Sequence, residues 1–417
     1  MAGTEQFDFT LAYYSGDRVT GELALVMRNA GRTQVKPLRQ AAPTGLDPLL
    51  RPILVGVRGE QVVLMDPRDK RIWRADEFPA DTFPAHIYPE PGGQRDWLMN
   101  DGDKDSGNDP VNCGDHGSSV TVLDKTPDGE ARFVKTLCVG RGHHQAAFIA
   151  PDAAHPQVPR RVVISNLQDG TLSVINNQPG DADYLEVIAT VDLADERHES
   201  VPADGGANRA FPHGLVYSPV SGKLYCLNNG YGSIAVIDPQ TLVIEDRLDF
   251  KGHSNLIGSP DGRYLIGRGA DRKSDPEHVI AKLSIMDVTD HRVVDSQDFP
   301  DIYFSKYFFN VEGSKLYFTT GVSGSETQQR HLRSDAVLIF DLSRLPRIAL
   351  LRELRLGGSA GTLDFLAPQG VTERVFASST TTGQVVVIDG RTDEIVDRIA
   401  VNSGNRHSRL WRVSPLP

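Results

Sequence analysis

A unit of about forty residues recurs along this chain, and it restricts the possible folds more than any other feature. The stretch "HGLVYSPVSGKLYCLNNGYGSIAVIDPQTLVIEDRLDF" is followed by "HSNLIGSPDGRYLIGRG", and then by "AKLSIMDVTDHRVVDSQDF". Each unit reads as four strands. A short apolar strand leads into an "SPDG"-type turn, and strands like "YLIG", "SIAVID" and "VIEDRLDF" follow. Asp opens the "DPQT" and "DGRT" turns, where its side chain can bond the backbone two residues on. Helical periodicity is scarce, and short β-branched runs between turn signals indicate an all-β protein. Four strands in about forty residues make one blade of a β-propeller.

Seven blades are expected from this pattern, at about 53–78, 86–138, 143–192, 213–249, 253–299, 304–356 and 362–400. The leftover "HSRLWRV", beginning at His407, has the character of an innermost strand without a blade, and the 53–78 unit has no innermost strand of its own. The expected fold is therefore a seven-bladed β-propeller over 51–417, closed by the C-terminal strand joining the N-terminal blade. Such closure removes a sheet edge. Residues 1–50 fit no blade and are expected as an extension on the rim.

The motifs "SPDGRYLIGRG", "KLYCLNNGYGSIAVIDPQT" and "GQVVVIDGRTDEIVDRI" resemble the YVTN family of propeller repeats over most of the chain beyond about residue 50. Such repeats imply a fold and leave function to the site. The formal net charge of −11 and the lack of a Lys/Arg run argue against nucleic acid and against an anionic membrane surface as partners. No apolar stretch reaches membrane-spanning length. The N-terminal "MAGTEQFDFTLAYYSGD" has no secretory pattern, so the expected location is cytoplasmic, or periplasmic if a signal was removed. Cys113, Cys138 and Cys226 lack CxxC spacing. They are read as free thiols, with Cys113 and Cys138 able to pair only in an oxidising compartment. The acidic "DGDKDSGND" loop at 101–109 lacks the full calcium-loop spacing and is read as a solvated insertion.

Counting back eleven residues from the second strand of a blade gives histidine in three places: His86 before Trp97, His213 before Leu224 and His253 before Tyr264. Placing Pro151 on Pro260 brings His144 onto His253, and His407 opens the C-terminal strand. The leading ends of innermost strands gather at one mouth of the central channel, so these five imidazoles are expected to converge there, with His143 adjacent. His155, His198, His278, His291 and His331 are read as solvated, and His116 as part of a loop near the mouth.

Neutral imidazole without thiolate suits copper, zinc, iron or nickel rather than magnesium or calcium. More imidazoles than one tetrahedral zinc ion needs favour copper. The motifs "GHHQ", "FPHGLVYSP" and "KGHSNL", with His407, are similar to those of the copper propellers, the catalytic domain of nitrous oxide reductase and thiocyanate dehydrogenase. That resemblance implies an imidazole-bound copper centre and carries neither substrate. The leading reading is a copper-dependent, or else iron-dependent, oxidoreductase. It would act on a small molecule and exchange electrons with an external acceptor or donor. His86, His143, His144, His213, His253 and His407 would be ligands, and His143 could instead serve as an acid/base. Asp364 would be a general base or ligand-orienting carboxylate. Lys306 and Arg409 would hold an anionic substrate. Two further readings stand beside it: a heme-handling propeller resembling the heme d1 domains, and a non-enzymatic interaction scaffold.

Overall fold

The computed structural model describes residues 131–199, 207–379 and 381–401 without a break. It also describes 9–15, 22–29, 32–38, 53–58, 61–65, 72–74, 84–92, 95–100, 113, 118–125 and 409–415. These residues form seven four-stranded antiparallel sheets and one three-stranded sheet. The helix Glu326–His331 and a single 3-10 turn are the helical elements among them.

The fold is an all-β propeller. Its innermost strands follow one another around a ring: Ile53–Arg58, Pro84–Pro89, His143–Ile149, Pro212–Ser218, Asn255–Gly258, Phe304–Phe309, Ala360–Leu366 and Arg409–Pro415. Arg409–Pro415 touches Ala360–Leu366 on one side and Ile53–Arg58 on the other. Each sheet is buried between two neighbours, so its second strand is apolar throughout rather than alternating. The strands Arg95–Asn100, Arg161–Asn166, Lys223–Asn228, Lys315–Thr320 and Arg374–Ser379 share one pattern, a half-buried first residue followed by five buried ones. Outer strands such as Val187–Asp192 are mostly exposed, which explains their mixed charged sequences.

The core lies between sheets. Trp97, Met99 and Val122 pack on Ala146, Val162 and Ile164 of the next sheet. Leu215, Leu224 and Cys226 meet Val163, Leu172 and Val174 in the same manner. Innermost strands approach so tightly that a Cβ on Gly214 would lie 2.6 Å from Leu256 Cβ, a place where only glycine fits.

Three expectations are corrected here. There are eight sheets among the described residues, where seven blades were expected. The C-terminal strand pairs with Phe9–Ser15, from Phe9↔Pro415 to Tyr14↔Arg409, and not with the 53–78 unit. The strands Phe9–Ser15, Glu22–Asn29 and Arg32–Leu38 are the outer three of that sheet, so the region expected as a rim extension supplies the blade that closes the ring. It escaped the count because it lacks the "SPDG" turn, and because the 53–78 unit supplies its own innermost strand at Ile53–Arg58. Third, Cys113 and Cys138 form a disulfide across 25 residues, and Cys226 is the buried free thiol.

A crosslink of that span stabilises by about 3 kcal/mol, chiefly by restricting the unfolded chain. Cys138→Ser is expected to lower stability by about that amount. Reductant should lower the wild-type urea midpoint to that of the variant and leave the variant unchanged.

Candidate functional site at the channel mouth

The second-strand residue opposite the first paired residue of the innermost strand gives a common frame for the mouth of the channel. Asn100, Asn166 and Asn228 occupy it in three successive sheets, each fully buried. Asn100 Nδ2 donates to Ser119 Oγ and Thr121 Oγ1 at 2.9 and 3.0 Å, and Asn166 Nδ2 to Thr171 Oγ1 and Ser173 Oγ at 2.9 Å each. Arg268, Thr320 and Ser379 hold the same register further round. Opposite these six residues, on the innermost strands, stand Pro84, His143, Pro212, Asn255, Phe304 and Ala360.

Most innermost strands carry a β-bulge just inside this frame. Register breaks occur at Pro84/His86, His143/Ala146, Pro212/Gly214, Phe304/Lys306 and Ala360/Leu363. Bulges re-aim side chains and recur next to functional sites. A hydroxyl from the second strand bridges several of them. Ser165, Thr319 and Ser378 accept the backbone N–H of Gln145, Lys306 and Thr362 at 3.1, 3.2 and 2.8 Å. Within this frame the bulged residues are Ala85, His144, His213, Ser305 and Gly361.

The frame sorts the candidate histidines. His144 and His213 take the same bulged position on adjacent innermost strands, and His143 stands directly opposite Asn166. His86 lies one residue further on, opposite Met99, on the strand before them. It is exposed, with its ring 6.3 Å from that of Tyr88. The side chains of His143 and His144 lie outside the described residues, as do His407, His116 and the acidic loop 101–109. His213 is half-buried. Burial holds its imidazole below the usual range, a backbone hydrogen bond at Ser254 opposes this, and the charge of Arg268 adds to it.

His253 does not belong with them. Its sheet has no bulge between the first two strands, and Asn255, not His253, faces Arg268. Counting eleven residues back overshoots the strand for two reasons: this sheet lacks the bulge, and its hairpin is two residues shorter, with Tyr264 opposite Ser259 where Leu224 is opposite Tyr217. The His253 ring lies over Gly267, where a Cβ would be 2.9 Å from its Cδ2. It stacks on Phe250 at 4.0 Å, and its Nε2 is 2.9 Å from Ser284 Oγ. Its Nδ1 is 3.4 Å from the Phe250 carbonyl. Burial pushes its pKa down to about 4, and both ring nitrogens face partners, so it is a packing residue.

Asp364 and Lys306 sit elsewhere. Asp364 is on Ala360–Leu366, on the far side of the ring, and its Oδ1 accepts the Phe365 N–H at 2.8 Å. Lys306 follows the bulge of Phe304–Phe309 and is exposed. No group of three or more His, Cys, Asp or Glu suited to a metal ion occurs among the described residues.

Several histidines read as solvated have structural partners. His291 Nε2 is 3.2 Å from the hydroxyl of buried Tyr225, His198 stacks on Tyr231 at 4.9 Å, and His278 Nδ1 is 2.7 Å from Asp301.

The sequence pattern does not single out Arg268, although the signal was present. "IGRG" puts arginine where "LMN", "ISN" and "CLN" put asparagine. Its Nη1 donates to the Phe304 carbonyl at 2.5 Å, and Tyr303 and Tyr307 act on its charge. Tyr88, from the opposite side of the ring, acts with Tyr307, and burial keeps both hydroxyls protonated well above the usual range.

No family model and no curated protein sequence matches the chain. Its structure is similar to that of a putative 6-phosphogluconolactonase from Bacteroides uniformis, at 15% identity over 96% of this chain and 99% of that one, TM-score 0.53. The periplasmic gluconolactonase PpgL of Pseudomonas aeruginosa is 15% identical over 87% and 98% of the two chains, TM-score 0.53. Hydrazine synthase of Kuenenia stuttgartiensis is 16% identical over 78% and 89%, TM-score 0.50. Identities this low speak to the propeller fold alone. No helix among the described residues is long and apolar enough to cross a membrane.

Proposed function

We propose that this protein is a metal-dependent oxidoreductase acting on a small molecule at the channel mouth. In this reading a transition metal, copper before iron or zinc, sits on one side of the mouth. His143, His144 and His213 would hold it, with His86 beside them. The observation that carries the reading is the shared bulge: consecutive innermost strands place His144 and His213 at one register, with His143 and His86 a residue to either side. The donor set fits. Imidazole binds metal only when neutral, and burial keeps His213 neutral to lower pH than usual. A bound transition metal would supply the electron-transfer or Lewis-acid chemistry that these side chains lack. His253 is not part of the set, and neither is Asp364 as a base for it.

The chain's own residues would exclude water and orient the substrate. Tyr88 and Tyr307, from opposite sides of the ring, act on each other electrostatically, as Arg268 does on His213. An external electron acceptor or donor would complete turnover. The Cys113–Cys138 pair favours an oxidising compartment, hence the periplasmic location. Two fold neighbours named for gluconolactone and hydrazine chemistry are consistent with a small-molecule reaction here.

Untagged protein stripped of metal and titrated with copper, iron and zinc at pH 7.5 should take up about one equivalent saturably. Uptake should weaken as pH falls through the histidine range, because protons compete for the same nitrogens. Uptake independent of pH between about 5 and 8 would contradict imidazole ligation.

A further inference from the structure

Among the described residues, Arg268 is a charge without a counter-charge. It is partly buried at the mouth, and its Nε is buried with no hydrogen-bond partner among the described residues. The Phe304 carbonyl takes Nη1. No carboxylate among the described residues acts on the guanidinium; Tyr303 and Tyr307 do, and burial keeps the Tyr307 hydroxyl neutral. Arg272 stacks on the other partner, with its guanidinium carbon 5.1 Å from the centre of the Tyr303 ring. Guanidinium does not shed its proton in a protein. A desolvated cation of this kind is costly unless something anionic meets it. At the same register the sheets on either side have neutral Asn228 and Thr320, so the fold does not require a cation there.

We propose that Arg268, flanked by Tyr303 and Tyr307, binds a small carboxylate or oxyanion at the channel mouth, and that the ligand of this protein is therefore an anion. The planar fork of Arg matches two oxygens on one centre, which an ammonium does not. The tyrosine hydroxyls can donate to the same oxygens. The inference rests on the proposed oxidoreductase reading only in placing this anion beside the metal. The arginine site itself does not need the metal.

Metal-free full-length protein separates the two. Wild type, Arg268→Met and Arg268→Lys are titrated with acetate and with inorganic phosphate at fixed ionic strength, followed by calorimetry and by melting temperature. Wild type should bind at least one of the two saturably and melt higher with it. Arg268→Met should bind at least about tenfold more weakly. Without ligand it should melt no lower than wild type, because an uncompensated cation has been replaced by an apolar chain of similar length. Arg268→Lys should fall between them. The proposal is overturned if wild type shows no saturable response to either anion, or if Arg268→Met responds as wild type does. A lower ligand-free melting temperature together with an unchanged response would assign Arg268 to holding the Phe304 carbonyl instead. Protein that takes up no metal yet binds anion through Arg268 would retire the metal reading and leave this site standing.

Discussion

Removing residues 409–415 is expected to abolish the cooperative fold. Arg409–Pro415 is the innermost strand of a sheet whose other three strands come from residues 9–38, so the two ends of the described chain are joined by one ladder. At about 1 kcal/mol net per backbone hydrogen bond, a seven-residue strand contributes on the order of 5 kcal/mol before any side-chain burial. That is comparable with the whole stability of many domains. The deletion would also leave Phe9–Ser15 as an unpaired edge, a template for pairing with another chain. Size-exclusion chromatography and urea denaturation check this. The truncated protein should aggregate or unfold without a sharp midpoint. A monomer with the wild-type midpoint would mean that the ring does not close through this strand. Deleting 53–74 instead would remove a three-stranded sheet that carries neither chain end.

The second large effect concerns His253. Its ring fills the space over Gly267, stacks on Phe250 and meets Ser284, so His253→Ala should cost about 3 kcal/mol from lost packing and a lost hydrogen bond. The imidazole titrates near the usual 6.5 when unfolded and at about 4 when folded. Between those values the unfolded state binds the extra proton, so stability is full above about pH 6.5 and falls as pH drops toward 4. The fall between pH 7 and pH 5 amounts to about 2 kcal/mol from this group. His253→Phe keeps the stacking, loses the hydrogen bond and should lack that part of the pH dependence. Urea midpoints at pH 7 and pH 5 for wild type and His253→Phe measure it. An equal fall in both proteins would show that the ring is not held neutral by its surroundings.

The fold was legible because its period is written in turns. "SPDG" and "DPQT" steps recur where one strand must pass to the next, and strands buried on both faces spell continuous apolar runs. The closing blade was not legible, because its pairing joins residues about four hundred positions apart and its turns lack that signature. The site was half legible. Two of the histidines at the starts of innermost strands, His144 and His213, do share one backbone register, but a residue count cannot see a bulge or a shorter hairpin. One inserted residue moves a side chain to the other face of a strand. His144 and His213 share a position and His86 is one residue away, while in the His253 sheet the missing bulge and a hairpin two residues shorter leave His253 two residues outside the frame, in the core. Arg268 is missed for a different reason: nothing in "IGRG" says that no carboxylate among the described residues will act on it.

In the proposed site His144 and His213, and not His253, hold the metal. The most direct measurement is the metal content of untagged wild type, His144→Ala, His213→Ala and His253→Phe, each reloaded with copper and dialysed at pH 7.5. Wild type and His253→Phe should retain about one equivalent, while His144→Ala and His213→Ala should each lose at least about tenfold in affinity, with unchanged urea midpoints. Equal retention in all four proteins, or loss only in His253→Phe, would contradict it.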